Sequence, residues 1–173
     1  RETDMSVPGR KGDWWYYRRI EEGQNYSRLC RVPVEGPADW EPPQVESIDP
    51  SNEQLLLDSN VEAKGHDFFQ LGSTALSHDH QLMAWTVDTE GDERYRLNIR
   101  NLDDGTQLDS VVTDIAPSVV WAADSSCFFY VRVDASWRPF QVWRHELSVN
   151  TPDVLVFEEP DERYFVGIGG TLS

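Results

Sequence analysis

The chain has 173 residues, of which 39% are hydrophobic and 12% aromatic, with seven Trp. This composition argues against intrinsic disorder, and the length suits one domain that buries about 70% of its unfolded surface. The formal net charge of −16 disfavours nucleic acid as a partner, because duplex binding requires a basic face. An acidic field attracts cationic peptides, although solubility alone is the simpler explanation.

Cysteine usage and the N-terminus bear on the cellular compartment. Cys30 and Cys127 form no disulfide framework and cannot supply the roughly four ligands of a zinc site. No apolar segment approaches the roughly 20 residues of a membrane-spanning helix, and residues 1–4 lack the order of a secretory signal. We therefore expect a reduced, cytoplasmic protein with no membrane partner, metal or cofactor.

Short segments rich in aromatic and β-branched residues alternate with turn residues, and no convincing helical period is present. Turns are predicted at Glu22-Gly23, Glu90-Gly91-Asp92, Asp104-Gly105 and Val149-Asn150-Thr151-Pro152, because Gly and Asx residues supply positive φ angles. The ten predicted strands are, in chain order, residues 13–20, 27–33, 54–57, 68–76, 81–88, 95–102, 118–121, 127–133, 141–147 and 154–157. We therefore predict an all-β protein.

The chain also contains an internal repeat. Residues 77–87 match residues 122–132, and the same offset of 45 residues (122 − 77) relates residues 95–102 to residues 140–147 without a gap. A period of about 40–50 residues with four strands per unit is typical of a β-propeller. The predicted blade-like units are residues 13–66, 67–115 and 116–163, and the Pro-rich residues 33–50 lengthen a loop of the first unit.

About three four-stranded antiparallel blades make only part of a propeller, since closed rings have about four to eight. The alternating residues Tyr164 to Ile168 predict the first strand of a further blade over residues 164–173. One four-stranded sheet cannot bury both faces alone, so exposed blade surfaces predict self-association. The chain either pairs with copies of itself or belongs to a longer protein.

Motifs of catalytic chemistry are not evident. The sequence has no Gly-x-Ser-x-Gly nucleophile elbow and no Gly-rich phosphate loop between a strand and a helix. His78 and His80 flank Asp79, but without a nearby third ligand a solvated turn is the better interpretation than a metal site. Alternating Trp and Tyr residues favour packing between blades over a carbohydrate platform.

Several segments together resemble the oligopeptidase B-like members of the prolyl oligopeptidase family of serine peptidases. The resemblance runs through the whole chain. Its segments include Arg1-Glu2-Thr3-Asp4, Gly12-Asp13-Trp14-Trp15-Tyr16-Tyr17, Gly65-His66-Asp67-Phe68-Phe69, Gly91-Asp92-Glu93-Arg94-Tyr95, Trp137-Arg138-Pro139-Phe140 and Glu158-Glu159-Pro160-Asp161-Glu162.

The resemblance implies a seven-bladed propeller that caps an α/β-hydrolase domain with a Ser-Asp-His triad and excludes large folded proteins. Relatives of this kind cleave short peptides after Arg or Lys. The chain corresponds to the first blades, and the catalytic domain is absent from it. No catalytic residue can therefore be assigned, and the resemblance implies that this segment alone is inactive. The expected partners are the hydrolase domain of the same parent chain and, for the parent, short cationic peptides.

Within the segment, the resemblance points to two charged loops as candidates for contact with the hydrolase domain. They contain Asp67 and the run Asp92, Glu93 and Arg94. Exposed salt bridges contribute only about 0–1 kcal/mol each, so we expect them to bias an open–closed equilibrium rather than to stabilise the fold. The alternative is that both are solvated blade loops. For Trp137 and Phe140 we expect packing between blades rather than substrate stacking.

A second function remains open from the sequence. The chain could be a stand-alone propeller-like protein-interaction module, which the absence of catalytic residues and the exposed strand edges of a partial ring both favour. The coding sequence beyond Ser173 separates the two functions, because a downstream Gly-x-Ser-x-Gly would indicate the peptidase.

Overall fold

The computed structural model describes residues 4–44, 47–147 and 151–171. Three groups of residues named above lie outside them: Arg1, Glu2 and Thr3 of the first family segment, Val149 and Asn150 of a predicted turn, and Leu172 and Ser173 of the predicted further blade. The described residues form twelve strands and one helix of four residues, which confirms the predicted all-β class. No described helix is long and apolar enough to cross a membrane.

The elements follow one another along the chain with mostly short connections. They are β1 (Asp4–Met5), β2 (Gly9–Lys11), β3 (Trp14–Ile20), β4 (Arg28–Pro33), β5 (Gln54–Asp58), α1 (Ser59–Glu62), β6 (Gln70–Leu76), β7 (Leu82–Asp88), β8 (Tyr95–Asn101), β9 (Gln107–Trp121), β10 (Cys127–Val133), β11 (Pro139–Glu146) and β12 (Val154–Glu158). The chain divides into two compact units, Arg1–Gly65 and His66–Ser173.

The first unit is an antiparallel sheet in the order β1-β3-β4-β5, with β2 also paired to β3. Strands β1 and β2 occupy successive stretches of the same edge, since β1 pairs with the end of β3 and β2 with its start. Pro8 stands between them and has no N–H to donate to a sheet. Neither short strand was predicted, because so few residues show no alternation.

Alternate aromatic residues of β3 build the core of this unit. Trp15 and Tyr17 are buried together with Cys30 and Val32 of β4, and Tyr17 lies directly opposite Cys30. Burial, reinforced by the nearby Glu53 carboxylate, raises the pKa of the Cys30 thiol to about 12. Cys30 is therefore a neutral core residue at physiological pH.

The second unit is one hydrogen-bonded antiparallel sheet in the order β12-β11-β10-β9-β8-β7-β6. Strand β9 belongs to both halves of it: Ile115 is paired with Tyr95 of β8 and with Arg132 of β10. We call β6 to β8 with residues 107–115 the first half-sheet, and residues 115–121 with β10 to β12 the second. Each half has the four strands that a blade requires.

The two half-sheets are stacked face to face. The Ser73 and Thr86 hydroxyls of the first half-sheet donate hydrogen bonds to the Pro117 carbonyl, at 2.5 and 2.8 Å. Trp121 Nε1 donates to the Ala75 carbonyl at 3.0 Å. Strand β9 can cross over in this way because Asp114, next to Ile115, has a positive φ of 59°. The boundary predicted between residues 115 and 116 thus falls inside β9, and the predicted unit bounds stay predictions.

The core of the second unit lies between these half-sheets. Leu97 and Ile99 of the first meet Phe128 and Tyr130 of the second, and all four side chains are fully buried. Trp121 packs edge-on against Phe128, with 5.5 Å between ring centres. This ring contact lies within the second half-sheet, where Phe128 is the register partner of Trp121, and the aromatic packing between blades that the sequence favours stays a prediction.

The 45-residue repeat is visible in the backbone hydrogen bonds. The β6–β7 and β9–β10 turns are closed by equivalent bonds, Ser77 N to Leu82 O and Ala122 N to Cys127 O, both at 2.9 Å. The residues just after β8 and β11 contact these turns equivalently, Leu102 N to Gln81 O at 2.8 Å and Leu147 N to Ser126 O at 3.1 Å. His80 and Ser125, also 45 residues apart, share positive φ angles of 59° and 60°. The repeat is therefore structural.

The strand predicted over Tyr164 to Ile168 is wrong for the described residues, which contain no strand there. Val166 N donates to the Pro139 carbonyl at 2.9 Å, but a strand needs a continuous ladder of such bonds. Tyr164 and Phe165 are 58% and 78% exposed. An alternating sequence without a paired neighbour does not form a strand.

Candidate functional site

The β7–β8 loop is organised around Asp88, the last residue of β7. Its carboxylate is 1% exposed and accepts hydrogen bonds from the backbone N–H groups of Glu90, Gly91 and Glu93 at 2.8–2.9 Å. Burial acts to raise the pKa of Asp88, but these backbone donors hold it below its ordinary value. Gly91 and Glu93 both have positive φ, so the loop is a tight turn folded onto one carboxylate.

The β10–β11 loop has a similar arrangement around Asp134, 46 residues further along the chain (134 − 88). Asp134 Oδ1 accepts from Ser136 N at 2.8 Å and from Arg138 N at 3.0 Å. Arg138 Nε also donates to Asp134 Oδ2 at 3.1 Å. Neither Asp was singled out from the sequence. The sequence pattern that could have identified them is an Asp at the end of β7 or just after β10, followed in each case by turn residues.

The two loops are joined by two side chains. Trp137 Nε1 donates to the Asp92 carbonyl at 2.5 Å, and Arg94 Nη2 donates to the Asp134 carbonyl at 2.9 Å. Arg94 also lies 5.3 Å from the centre of the Trp137 ring and 3.4 Å from Asp114 Oδ1. The expected contact of Trp137 with the neighbouring blade is a bridge between two loops and not a buried wedge, because its side chain is 52% exposed.

Asp67 precedes β6, and the residue after it, Phe68, contacts the β7–β8 loop. The ring of Phe68 lies against Gly91, where an added Cβ would be 3.5 Å from Phe68 Cγ. Asp67 is exposed and, within the residues that the structure describes, makes no hydrogen bond or ion pair. The structure therefore brings Asp92, Glu93 and Arg94 together and places Asp67 beside the residue that supports their loop.

The exposed carboxylates of this loop differ in their freedom. Asp92 Oδ1 accepts from Arg94 N at 3.1 Å, which ties it to its own turn. Glu93 is exposed, and among the described residues its carboxylate has neither a hydrogen bond nor a salt bridge. We call Asp92, Glu93, Arg94 and Trp137 the loop cluster. The loop cluster therefore combines a backbone held by hydrogen bonds with the exposed, unpaired carboxylate of Glu93.

A second polar cluster lies further along β10 and β11. Asp153 accepts from the Tyr130 hydroxyl at 2.5 Å and contacts His145 Nδ1 at 2.8 Å. Burial, with the Asp153 carboxylate, raises the pKa of Tyr130. These hydrogen bonds connect Asp153 to β10 and β11. The cluster contains no Ser or Cys and so lacks the nucleophile of a catalytic triad.

Within residues 4–44, 47–147 and 151–171, no group of three His, Cys, Asp or Glu side chains could hold an ion. His80 lies in the turn closed by its own N–H to the Ser77 carbonyl at 3.0 Å.

Comparison with known proteins covers the complete chain. Residues 1–173 match the model of the prolyl oligopeptidase N-terminal β-propeller domain. Dipeptidyl aminopeptidase BI of Pseudoxanthomonas mexicana is 36% identical over 98% of the chain, and protease 2 of Moraxella lacunata is 28% identical over 99%. The chain spans only 24% of the length of each relative.

Solved structures agree in both fold and extent. Oligopeptidase B from Leishmania major superimposes with a TM-score of 0.81 at 29% identity, covering 93% of this chain and 22% of that one. The closed form of oligopeptidase B from Trypanosoma brucei with covalently bound antipain has a TM-score of 0.80 and 36% identity, covering 98% of this chain and 22% of that one. The antiparallel stacked sheets and the full-length family match lead to one conclusion: the chain belongs to the N-terminal β-propeller domain family of the prolyl oligopeptidases.

Proposed function

We propose that this chain is the first part of the propeller of a cytoplasmic, oligopeptidase B-like serine peptidase, and that it gates access to a hydrolase domain in the same parent chain. The proposed substrates of the parent are short peptides cleaved after Arg or Lys. The family match over residues 1–173, the 36% identity to the Trypanosoma brucei enzyme and the 22% coverage of that enzyme support this proposal. The segment itself contributes no triad residue.

The loop cluster is the observation that carries the gating role. Its backbone is held from beneath by Asp88 and from the side by Trp137, so the loop itself loses little backbone freedom when a partner charge approaches. An exposed ion pair contributes about 0–1 kcal/mol. That is too little to hold a fold together, but it changes an open–closed ratio up to about fivefold. Asp92, Glu93 and Arg94 are therefore the proposed gating residues, with Asp67 beside them.

The test is charge reversal at Glu93 in the full-length parent enzyme. We expect Glu93→Lys to lower kcat/KM for a short arginyl peptide by about 3- to 10-fold, because the new Lys repels the cationic partner of Glu93 and depopulates the closed state. We also expect the salt dependence of turnover to change, since exposed charges are screened. Steady-state kinetics at two salt concentrations measure both.

The matched control is Glu22→Lys, which makes the same change of net charge in the exposed turn between β3 and β4. It should leave kcat/KM and its salt dependence unchanged. Equal effects of the two substitutions, or no effect of either, would contradict the gating role of the loop cluster.

A second candidate function is a self-associating, propeller-like interaction module. One observation favours it: the last strand of the sheet, β12, exposes Val154, Leu155, Val156 and Phe157 at 42–53%. An apolar edge strand with unpaired backbone groups is a template for pairing with another chain. We expect the isolated 173-residue chain to form a dimer or larger species by light scattering, and Val156→Lys to shift it toward monomer. A strictly monomeric solution would exclude this function.

A further inference from the structure

Trp137 has a backbone conformation that bulky residues rarely adopt. Its φ is 63°, in the left-handed region that is unfavourable for an L-residue with a Cβ. Burial does not offset this cost, because about half of the side chain is exposed. A strained, exposed Trp is therefore held by specific contacts, and such outliers mark functional positions.

The residues that contact Trp137 are Asp92 and Arg94 of the β7–β8 loop and Asp134 of its own loop. Its backbone N–H donates to the Asp134 carbonyl at 3.1 Å, which closes its own turn. Its indole N–H donates to the Asp92 carbonyl at 2.5 Å. The Arg94 guanidinium stacks over its ring and donates to the same Asp134 carbonyl at 2.9 Å. The strained conformation thus aims the indole at the loop of the neighbouring half-sheet.

Glu93 follows directly after the carbonyl that Trp137 holds. Its own N–H donates to Asp88 Oδ2 at 2.9 Å, and its φ is 61°. The peptide between Asp92 and Glu93 is thus held on its carbonyl side by Trp137 and on its N–H side by Asp88. Two opposed hydrogen bonds fix the orientation of one peptide plane, and that plane together with the φ of Glu93 sets the direction in which its Cα–Cβ bond leaves the loop.

We propose that Trp137 is a positioning residue for the gating carboxylate of Glu93, and that it acts across the two half-sheets through the Asp92 carbonyl. This inference rests on the proposed gating function. Trp137 needs no contact with substrate for this role. Its indole N–H supplies the fixed orientation, and the Arg94 stack keeps the ring in place.

The experiment uses Trp137→Phe in the full-length parent enzyme. Phe retains an aromatic ring beside Arg94 but has no N–H for the Asp92 carbonyl. One net hydrogen bond of about 0.5–1.5 kcal/mol corresponds to a loss of about 2- to 12-fold in kcat/KM for a short arginyl peptide. The control is Trp40→Phe, since Trp40 is also exposed and also stacked by an arginine, Arg10, at 4.2 Å. It should leave kcat/KM unchanged.

The decisive measurement repeats Trp137→Phe in a Glu93→Gln background. If Trp137 acts through Glu93, removing the indole N–H from an enzyme that already lacks the charge should change kcat/KM by less than about 1.5-fold. Additive losses would overturn the inference, because a general structural role does not require Glu93. Unchanged kinetics of Trp137→Phe beside a clear effect of Glu93→Gln would also overturn it and leave the gating function standing. An inert Glu93→Gln would instead contradict the gating function itself.

Discussion

Gly72→Ala is expected to lower the free energy of unfolding of the chain by about 2–4 kcal/mol, from overpacking together with one lost hydrogen bond. An added Cβ at Gly72 would lie 2.5 Å from Thr86 Oγ1 and 2.7 Å from Tyr95 Cε1. These distances are well inside van der Waals contact. Thr86 is fully buried and Tyr95 is 6% exposed, so neither can move into solvent.

The clash also breaks the link between the half-sheets. Thr86 Oγ1 accepts a hydrogen bond from Ser73 N at 2.9 Å and donates one to the Pro117 carbonyl at 2.8 Å. Displacing this hydroxyl leaves the part-buried Pro117 carbonyl and Ser73 N–H with poorer partners. The loss therefore affects the stacking of the two half-sheets as well as the shift in the β6–β7 register between Leu71 and Thr74.

Urea unfolding of the wild-type and variant chains measures the effect. Gly36→Ala is the matched control, because an added Cβ there has no neighbour within 4 Å and the φ of Gly36 is not in the left-handed region. It should be neutral or slightly stabilising. Equal unfolding midpoints for Gly72→Ala and wild type would show that the sheet accommodates the methyl group.

Sequence alone indicated most of this fold because the repeat is carried by local signals. Strand β10 has the predicted bounds of 127–133, since aromatic and β-branched residues end there at turn residues on both sides. Strand β9 was underestimated at 118–121, although it begins at Gln107. Residues 107–117 include Asp114 and Pro117, which are poor strand formers, and their pairing depends on β8 and on the crossing between half-sheets.

The candidate site was predicted only in part for a similar reason. Charge and turn position identified Asp92, Glu93 and Arg94. The roles of Asp88 and Trp137 were not predicted. The role of Asp88 is evident only from the three N–H groups folded around its carboxylate, and that of Trp137 only from its contact with Asp92, 45 residues away. The strained φ of Trp137 is likewise invisible in a sequence in which neighbouring Pro139 and Arg138 suggest an ordinary hairpin.

Asp88→Ala is expected to lower the free energy of unfolding by about 2–4 kcal/mol, because hydrogen bonds to a charged acceptor contribute about 1.5–3 kcal/mol each before the loop rehydrates. Three backbone donors, at Glu90, Gly91 and Glu93, lose their acceptor. The β7–β8 loop should then exchange its amide hydrogens much faster than wild type. Hydrogen exchange and urea unfolding at neutral pH measure the two effects.

The same carboxylate gives a pH dependence of defined sign. Because folding lowers the pKa of Asp88 below its ordinary value, the unfolded chain binds the proton more tightly than the folded chain. Its stabilisation is complete well above the unfolded-state pKa of about 3.9, and it is lost as the pH falls below that value through the lower folded-state pKa. The stability difference between wild type and Asp88→Asn should therefore be constant near neutral pH and shrink below about pH 4.

Subtracting the Asn variant isolates Asp88 from the other carboxyls whose pKa values are also lowered, such as those of Asp58 and Asp79. Asp103→Asn is the matched control, since it removes one negative charge from an exposed loop. Its difference from wild type should stay small across the same range. A difference for Asp88→Asn that persists undiminished at acid pH would mean that the ionised carboxylate is not what holds the loop. The gating carboxylate of Glu93 would then depend on Trp137 alone for its orientation.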